Sequence, residues 1–283
     1  MHWLLQDAFH HDPKYRELIG NLERLGIEHT FCKVIPFTDD GIEFEGDVTI
    51  ESLKDTPVFT YGSYTLAKIA RKHFRPGAFI SPNINIDVLL ANYGDEMFNS
   101  DMTIAPIKDL DTDLPQFFIR PVEDTKSFCG GLMTLEDFHK WKAGILELSE
   151  GKGYSTITPD TMAVIASRKP IENEYRFFIV HGQIATCSQY RFGGKVTYIQ
   201  DADPYVKDYV DKIINHWMPD HAFCLDIATV CGVPKVLEVN CINASGLYAI
   251  DTQKFVIAVE SLAYETDGEV DNSILLHARP SIR

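Results

Sequence analysis

Glu238 and Asn240 stand two residues apart in the apolar run KVLEVN (235–240), and Asp226 lies upstream in AFCLDIATV (222–230). Between the runs, Cys231–Gly232–Val233–Pro234 reads as a turn, so the pair is expected to fold as a hairpin. Side chains two apart on a strand share a face, and folding about Gly232 sets Asp226 opposite Glu238. Three hard oxygen donors converging in this way suit Mg²⁺, which completes its sphere with phosphate oxygens and water. The plainer reading is a hairpin with one solvated face and no chemistry. Against it stand the intervening Val, Leu, Ile, Phe and Cys residues, which predict a sheet covered on both sides. A carboxylate there needs a counter-charge.

Candidate counter-charges precede the hairpin. Arg120 ends the strand-like QFFIRP (116–121), and Lys126, Ser127, Gly130 and Gly131 follow it. Glycines allow close backbone approach, and their exposed amides can cradle phosphate. Taken alone, a Gly-Gly segment equally describes an ordinary turn with a surface lysine. Neither GxxxxGK[ST] nor GxGxxG occurs. Glu174 and Arg176 open EYRFFIVHGQIATCSQYRF (174–192), and Arg191 lies at its far end. A solvated ion pair is the bland reading of these charges, but the flanking FFIV and IATC runs argue for burial. Cationic Arg120, Lys126, Arg176 and Arg191 could hold a triphosphate, and anionic Asp226 and Glu238 the metal that bridges it.

The elements that must carry these residues fall into two patterns. Over residues 1–100 strands alternate with helices: HWLLQ, a helix from Pro13 to Gly26, HTFCKVIPF, a polar hairpin-like region at Asp39–Gly41, PVFTYGS, and a helix capped by Ser63. This predicts a small parallel α/β unit. The polar stretch Asn99–Asp113, with Met102–Ile107 inside it, is expected to bridge to a second unit over 101–265. That unit reads as α+β: QFFIRP, a helix from Thr134, TMAVIAS, the FFIV-HG-QIATC hairpin, a helix within residues 201–218, and the final strand pair. Residues 266–283 are a charged, weakly patterned tail.

Composition narrows the function. The chain has 283 residues, 45% hydrophobic and 24% charged, with a net charge of −15. So acidic a surface repels phosphate backbones and anionic lipid, so neither nucleic-acid nor membrane partners are expected. The N-terminus lacks a signal-peptide pattern, and the six cysteines show no CxxC spacing. A cytoplasmic location with reduced thiols is expected. Oligomeric state is left open.

The motifs IRP (119–121), KSFCGGL (126–132), AVIASRKP (163–170), EYRFFIVHG (174–182), LDIA (225–228) and LEVN followed by INASGLY (237–248) occur in an order that resembles the ATP-grasp superfamily. The arginine of IRP is similar to a clade of phage and bacterial ATP-grasp proteins in which arginine stands where lysine usually binds phosphate. The resemblance covers about residues 100–262. It implies an ATP-grasp fold preceded by a pre-ATP-grasp α/β domain, with ATP and Mg²⁺ as cofactors (two ions, or Mn²⁺ in their place). Arg120 would contact the α- and β-phosphates, with Lys126 nearby, and Ser127 to Gly130–Gly131 would form a flap over them. Ser167, Arg168 and Lys169 would be the adenine hinge, with Arg168 replacing the usual acid, and Glu174 would line the nucleotide site. Asp226, Glu238 and Asn240 would hold metal, Arg176 and Arg191 would stabilise the moving phosphoryl group, and Asn243 and Ser245 would lie near the acceptor. The implied reaction joins a small-molecule or peptide carboxylate to an amine through an acyl phosphate. A kinase using the same parts and a nucleotide-binding protein without turnover are the alternatives.

Overall fold

The computed structural model describes residues 1–35, 41–122, 128–150 and 157–264. Strand β1 (His2–Gln6) leads into helix α1 (Pro13–Leu25), which Asp12 caps by accepting from Lys14 N. Gly26, at φ +67°, ends the helix in the left-handed conformation that glycine adopts without steric cost. Strands β2 (His29–Val34), β3 (Ile42–Phe44) and β4 (Val58–Tyr61) follow, then α2 (Tyr64–His73), capped by Ser63 through Leu66 N, and β5 (Pro76–Gly77). They form a sheet of order β3-β2-β1-β4-β5, parallel except for β3. The expected parallel unit is therefore present, with β2 and β3 as its antiparallel pair; of the hairpin-like segment between them, residues 36–40 lie outside the described residues.

A helix absent from the sequence reading comes next, α3 (Ile86–Tyr93). After it β6 (Thr103–Pro106), β7 (Gln116–Pro121), β8 (Gly131–Thr134), α4 (Leu135–Glu150) and β9 (Met162–Ser167) build a four-stranded sheet of order β6-β9-β7-β8. The run Met102–Ile107, expected to be a bridge, instead supplies the edge strand β6, paired antiparallel with β9. Thr134 caps α4 as expected, accepting from Asp137 N and donating to its carboxylate.

The remaining strands β10 (Asn173–Val180), β11 (Gln183–Phe192), β12 (Lys195–Gln200), β13 (Ala222–Val230) and β14 (Val233–Asn240) form a sheet of order β12-β11-β10-β13-β14. Helix α5 (Pro204–His216) precedes β13, and α6 (Thr252–Glu260) follows β14. Both β10–β11 and β13–β14 turn on two residues with positive φ, His181–Gly182 and Cys231–Gly232, the geometry that matches strand twist.

Period two explains why β10 and β13 are apolar throughout yet carry charges. Tyr175, Phe177, Ile179, Leu225 and Ile227 face a core shared with α3 and α5. On the opposite face, Phe178, Val180, Ala222 and Cys224 share a core with α6 and with Trp3, Leu5 and Phe59 of the first sheet. Glu174, Arg176 and Asp226 lie on that second face, along the part of the strands that α6 leaves uncovered. Ile84, Ile86, Leu89, Tyr93 and Met97, expected in the first unit, pack into the core of the five-stranded sheet. No helix among the described residues is long and apolar enough to cross a membrane.

Candidate active site

The hairpin β13–β14 sets Asp226 directly opposite Glu238, and β10 sets Arg176 opposite Asp226 on its other side. Three adjacent strands therefore present Arg176, Asp226 and Glu238 in one row. Arg176 donates from Nε and Nη2 to the two oxygens of Asp226, at 2.8 and 2.7 Å. The pair is nearly dry: Asp226 is 0% and Arg176 7% exposed. Burial pushes the Asp226 carboxyl up, to about 6, against the pull of Arg176, and the nearby Glu238 charge adds to the rise. Burial would lower Arg176, but the Asp226 carboxylate outweighs it and holds the guanidinium cationic.

Glu238 is more accessible, its side chain 35% exposed. Its Oε2 meets Arg120 Nη1 at 3.2 Å, an ion pair that crosses from the four-stranded sheet to the sheet of β10–β14. Asn240 donates Nδ2 to Glu238 Oε1 at 3.1 Å and to Asp226 Oδ2 at 3.3 Å, which leaves its Oδ1 for another ligand. Among the described residues no three His, Cys, Asp or Glu side chains gather as a metal cluster. The oxygen set consists of two carboxylates and one amide. Its chemistry fits a hard cation whose other ligands are phosphate and water. Both oxygens of Asp226 are taken by Arg176, so Glu238 and Asn240 are the accessible donors.

Beside this row, Arg191 Nη1 contacts Glu174 Oε1 at 3.4 Å, across the β10–β11 register. At the other end of the cleft Gly130 lies against Arg120: a Cβ there would come within 2.9 Å of the Arg120 Cβ. Glycine is therefore needed for the chain to pass over the arginine. Lys126 and Ser127 lie outside the described residues, so of the expected flap residues 128–131 are seen.

The segment expected as a hinge follows β9. Ser167 N donates to Asp101 Oδ2 at 3.0 Å, Lys169 also pairs with Asp101, and Arg168 donates to Gln116 Oε1 at 2.7 Å. Asp101 is a residue the sequence reading missed. Its partial burial would raise the carboxyl, but the bonds from Lys169 and Ser167 hold it below the ordinary carboxylate value.

Asn243 and Ser245, expected near the acceptor, have their side chains committed elsewhere. Asn243 is fully buried; it accepts from Phe79 N at 2.8 Å and donates to Thr60 O at 2.7 Å and Gly77 O at 3.3 Å. Ser245 Oγ donates to Cys241 O, while Tyr61 donates its hydroxyl to Ser245 O. The polar break after β14 is thus where the ends of β4 and β5 dock. Three tyrosines were also missed. Tyr248 stacks on Tyr190 (4.6 Å between centroids) and Tyr198 (5.8 Å), and Arg176 lies 4.7 Å over its ring.

A family model for the ATP-grasp domain, family 2 of the clade in which arginine replaces the usual phosphate-binding lysine, matches residues 99–258. Among curated proteins none matches the chain. Solved structures with a similar fold include the D-alanine–D-alanine ligase from Bacillus anthracis complexed with ATP, at TM-score 0.58 and 15% identity, covering 92% of this chain and 96% of the other. The ATP-grasp ligase PsnB complexed with a minimal precursor matches at TM-score 0.54 and 11% identity, covering 92% and 98%. The D-cycloserine synthetase DcsG matches at 0.54 and 13%, covering 92% and 99%.

Proposed function

Because the chain belongs to the ATP-grasp domain family, in its arginine-for-lysine clade, we propose that it is an ATP- and Mg²⁺-dependent ligase joining a carboxylate to an amine. The observation that carries this reading is the Arg120–Glu238 contact across two sheets, with Asn240 beside it and the buried Arg176–Asp226 pair beneath. On this reading a cation suited to phosphate stands against oxygens suited to a metal. Phosphoryl transfer asks for that arrangement, since it depends on alignment and charge neutralisation more than on a protein nucleophile.

In the proposed cycle Arg120 turns from Glu238 to the phosphates of ATP, and Glu238 with Asn240 would hold the cation. Bound Mg²⁺ would supply Lewis-acid neutralisation of the β- and γ-phosphate oxygens. The substrate carboxylate oxygen attacks the γ-phosphorus as the bond to the β-phosphate oxygen breaks, releasing ADP. Arg176 and Arg191 stabilise charge on the moving phosphoryl group and on the acyl phosphate. Asp226 keeps Arg176 aimed through two hydrogen bonds. The amine then adds to the acyl carbon, loses a proton, and phosphate departs. Gly130, close against Arg120, would let the backbone approach the phosphates and help to keep water from the acyl phosphate. The unit formed by β1–β5 serves as the pre-ATP-grasp domain.

The test is ADP and phosphate release from ATP and Mg²⁺ in the presence of pooled carboxylates and pooled amines, with mass detection of the product. Amine-dependent formation of an amide supports the ligase. Phosphate transfer to an acceptor without any amine requirement would make it a kinase instead, and no nucleotide turnover with any pool would overturn the proposal.

A further inference from the structure

An apolar strip lies next to the two candidate catalytic arginines and includes none of the residues proposed above for nucleotide or metal. Val196 and Tyr198 are two apart on β12, and they are 62% and 60% exposed. Val196 stands directly opposite Arg191 in the β11–β12 register. Tyr198 stacks on Tyr248, which stacks on Tyr190 and carries the Arg176 guanidinium on its ring. A chain of direct contacts thus runs from Asp226 through Arg176 and Tyr248 to the open face of Tyr198.

The stack is built rather than incidental. Tyr190 is buried, Tyr248 is held at φ +47°, a conformation uncommon for a residue with a side chain, and Arg176 Nη1 donates to Gly246 O two residues before it at 3.3 Å. Exposed apolar side chains on an edge strand are ordinarily a liability, which proteins blunt with charge or cover. Here they lie beside two ion pairs, Arg191–Glu174 and Arg176–Asp226.

Resting on the ligase reading, we infer that Val196 and Tyr198 form the side-chain subsite for the carboxylate substrate, and that this substrate carries an apolar or aromatic group next to its reacting carboxyl. The carboxyl lies between Arg191 and Arg176, and the adjoining group packs on the Tyr198 ring and against Val196. Arg191, whose side chain is 48% exposed and whose contact with Glu174 is a single one at 3.4 Å, can turn to an incoming carboxylate. The strip favours apolar acids because they remove apolar surface from water on docking, which polar side chains do to a smaller extent.

The experiment titrates acids into the protein loaded with Mg²⁺ and a non-hydrolysable ATP analogue, followed by calorimetry. Phenylalanine, leucine, serine and aspartate are presented as free amino acids and as the C-terminal residues of short peptides. The expected result is binding of the phenylalanine- or leucine-bearing acids at least tenfold tighter than that of the polar ones. Tyr198→Ala should weaken those acids about tenfold, Tyr198→Phe should retain them, and the affinity of the nucleotide analogue should change in neither variant. Absence of apolar preference, or unchanged acid binding in Tyr198→Ala, overturns the inference while normal nucleotide binding leaves the ligase reading intact. Loss of analogue binding by the unmodified protein overturns both. Self-association that Tyr198→Ala abolishes would assign the strip to an interface between copies, and also overturns the inference.

Discussion

Asp226→Asn and Glu238→Ala alter residues that face each other across β13–β14, and they are expected to separate folding from nucleotide use. Asp226 has no exposed surface and takes two hydrogen bonds from Arg176, itself almost wholly buried. Removing its charge leaves a guanidinium without a counter-ion in a dry site, a loss of about 3–5 kcal/mol. That is a large share of the roughly 5–15 kcal/mol that holds a typical domain folded. Glu238 differs in both respects: it is partly solvated and touches Arg120 through a single 3.2 Å contact. Solvent screening limits the loss of that pair to about 0–1 kcal/mol. Glu238→Ala should therefore denature in urea within about 1 kcal/mol of the unmodified protein, yet lose Mg²⁺-dependent ATP turnover. Asp226→Asn should lose at least about 3 kcal/mol in the same titration. Tryptophan fluorescence reads the unfolding, and coupled ADP detection reads the turnover. Unchanged turnover in Glu238→Ala would remove the metal assignment. Equal destabilisation by the two variants would refute the argument from burial.

Gly130→Ala forces the Arg120 Cβ away from a contact of 2.9 Å, and should weaken ATP binding about tenfold, near 1.4 kcal/mol, in a calorimetric titration. Asn243→Ala orphans the Phe79 amide and the Thr60 carbonyl; at about 1–3 kcal/mol for each unsatisfied group it should lower stability strongly in denaturant. The KM for the carboxylate in the protein that remains folded should stay unchanged. His2 is buried and bonded through Nε2 to Thr30 Oγ1 at 3.0 Å, and burial lowers its pKa from 6.5, outweighing the exposed Glu28 carboxylate. The unfolded chain then takes up the proton first, so stability falls as pH drops below about 6.5, the unfolded value. His2→Gln should remove that component from a series of denaturation curves between pH 5.5 and 7.5. The Tyr198 titration described above completes the set.

The register that pairs Asp226 with Glu238 was legible in the sequence because a two-residue period and one glycine turn fix which side chains share a face. The caps of α1 and α2 were legible for a similar local reason, as Ser63 and Gly26 act within their own turns. Elements without a one-sided pattern were not. Strand β12 is exposed along nearly all its length, so no buried face announces it. Helix α3 is eight residues long and dominated by apolar side chains, too short to separate a helical period from an extended one. Strand β6 has only four residues and is defined by its partner β9, some sixty positions away. The role of Asn243 depends on backbone atoms of Thr60 and Gly77, brought to it by tertiary packing. The tyrosine stack joins positions 190, 198 and 248, which nothing local connects.

The difference in burial between the two ion pairs bears on how so acidic a chain can receive ATP. With a net charge of −15, the long-range field opposes a triphosphate, and two bare carboxylates in the cleft would oppose it further. In the structure each is covered by an arginine. Arg176 and Asp226 are fixed to one another by two bonds in a dry setting, where separation is costly in either direction. Arg120 and Glu238 meet once, at the solvated junction of two sheets, where exchange of partners costs little. Under the proposed reading the outer pair opens as nucleotide and cation enter together: the arginine goes to phosphate, and the carboxylate goes to metal. The inner pair stays closed and keeps one guanidinium aimed at the place where charge develops. A preformed cation is worth most when no reorganisation is needed at the moment of reaction, and that condition holds for Arg176 and not for Arg120.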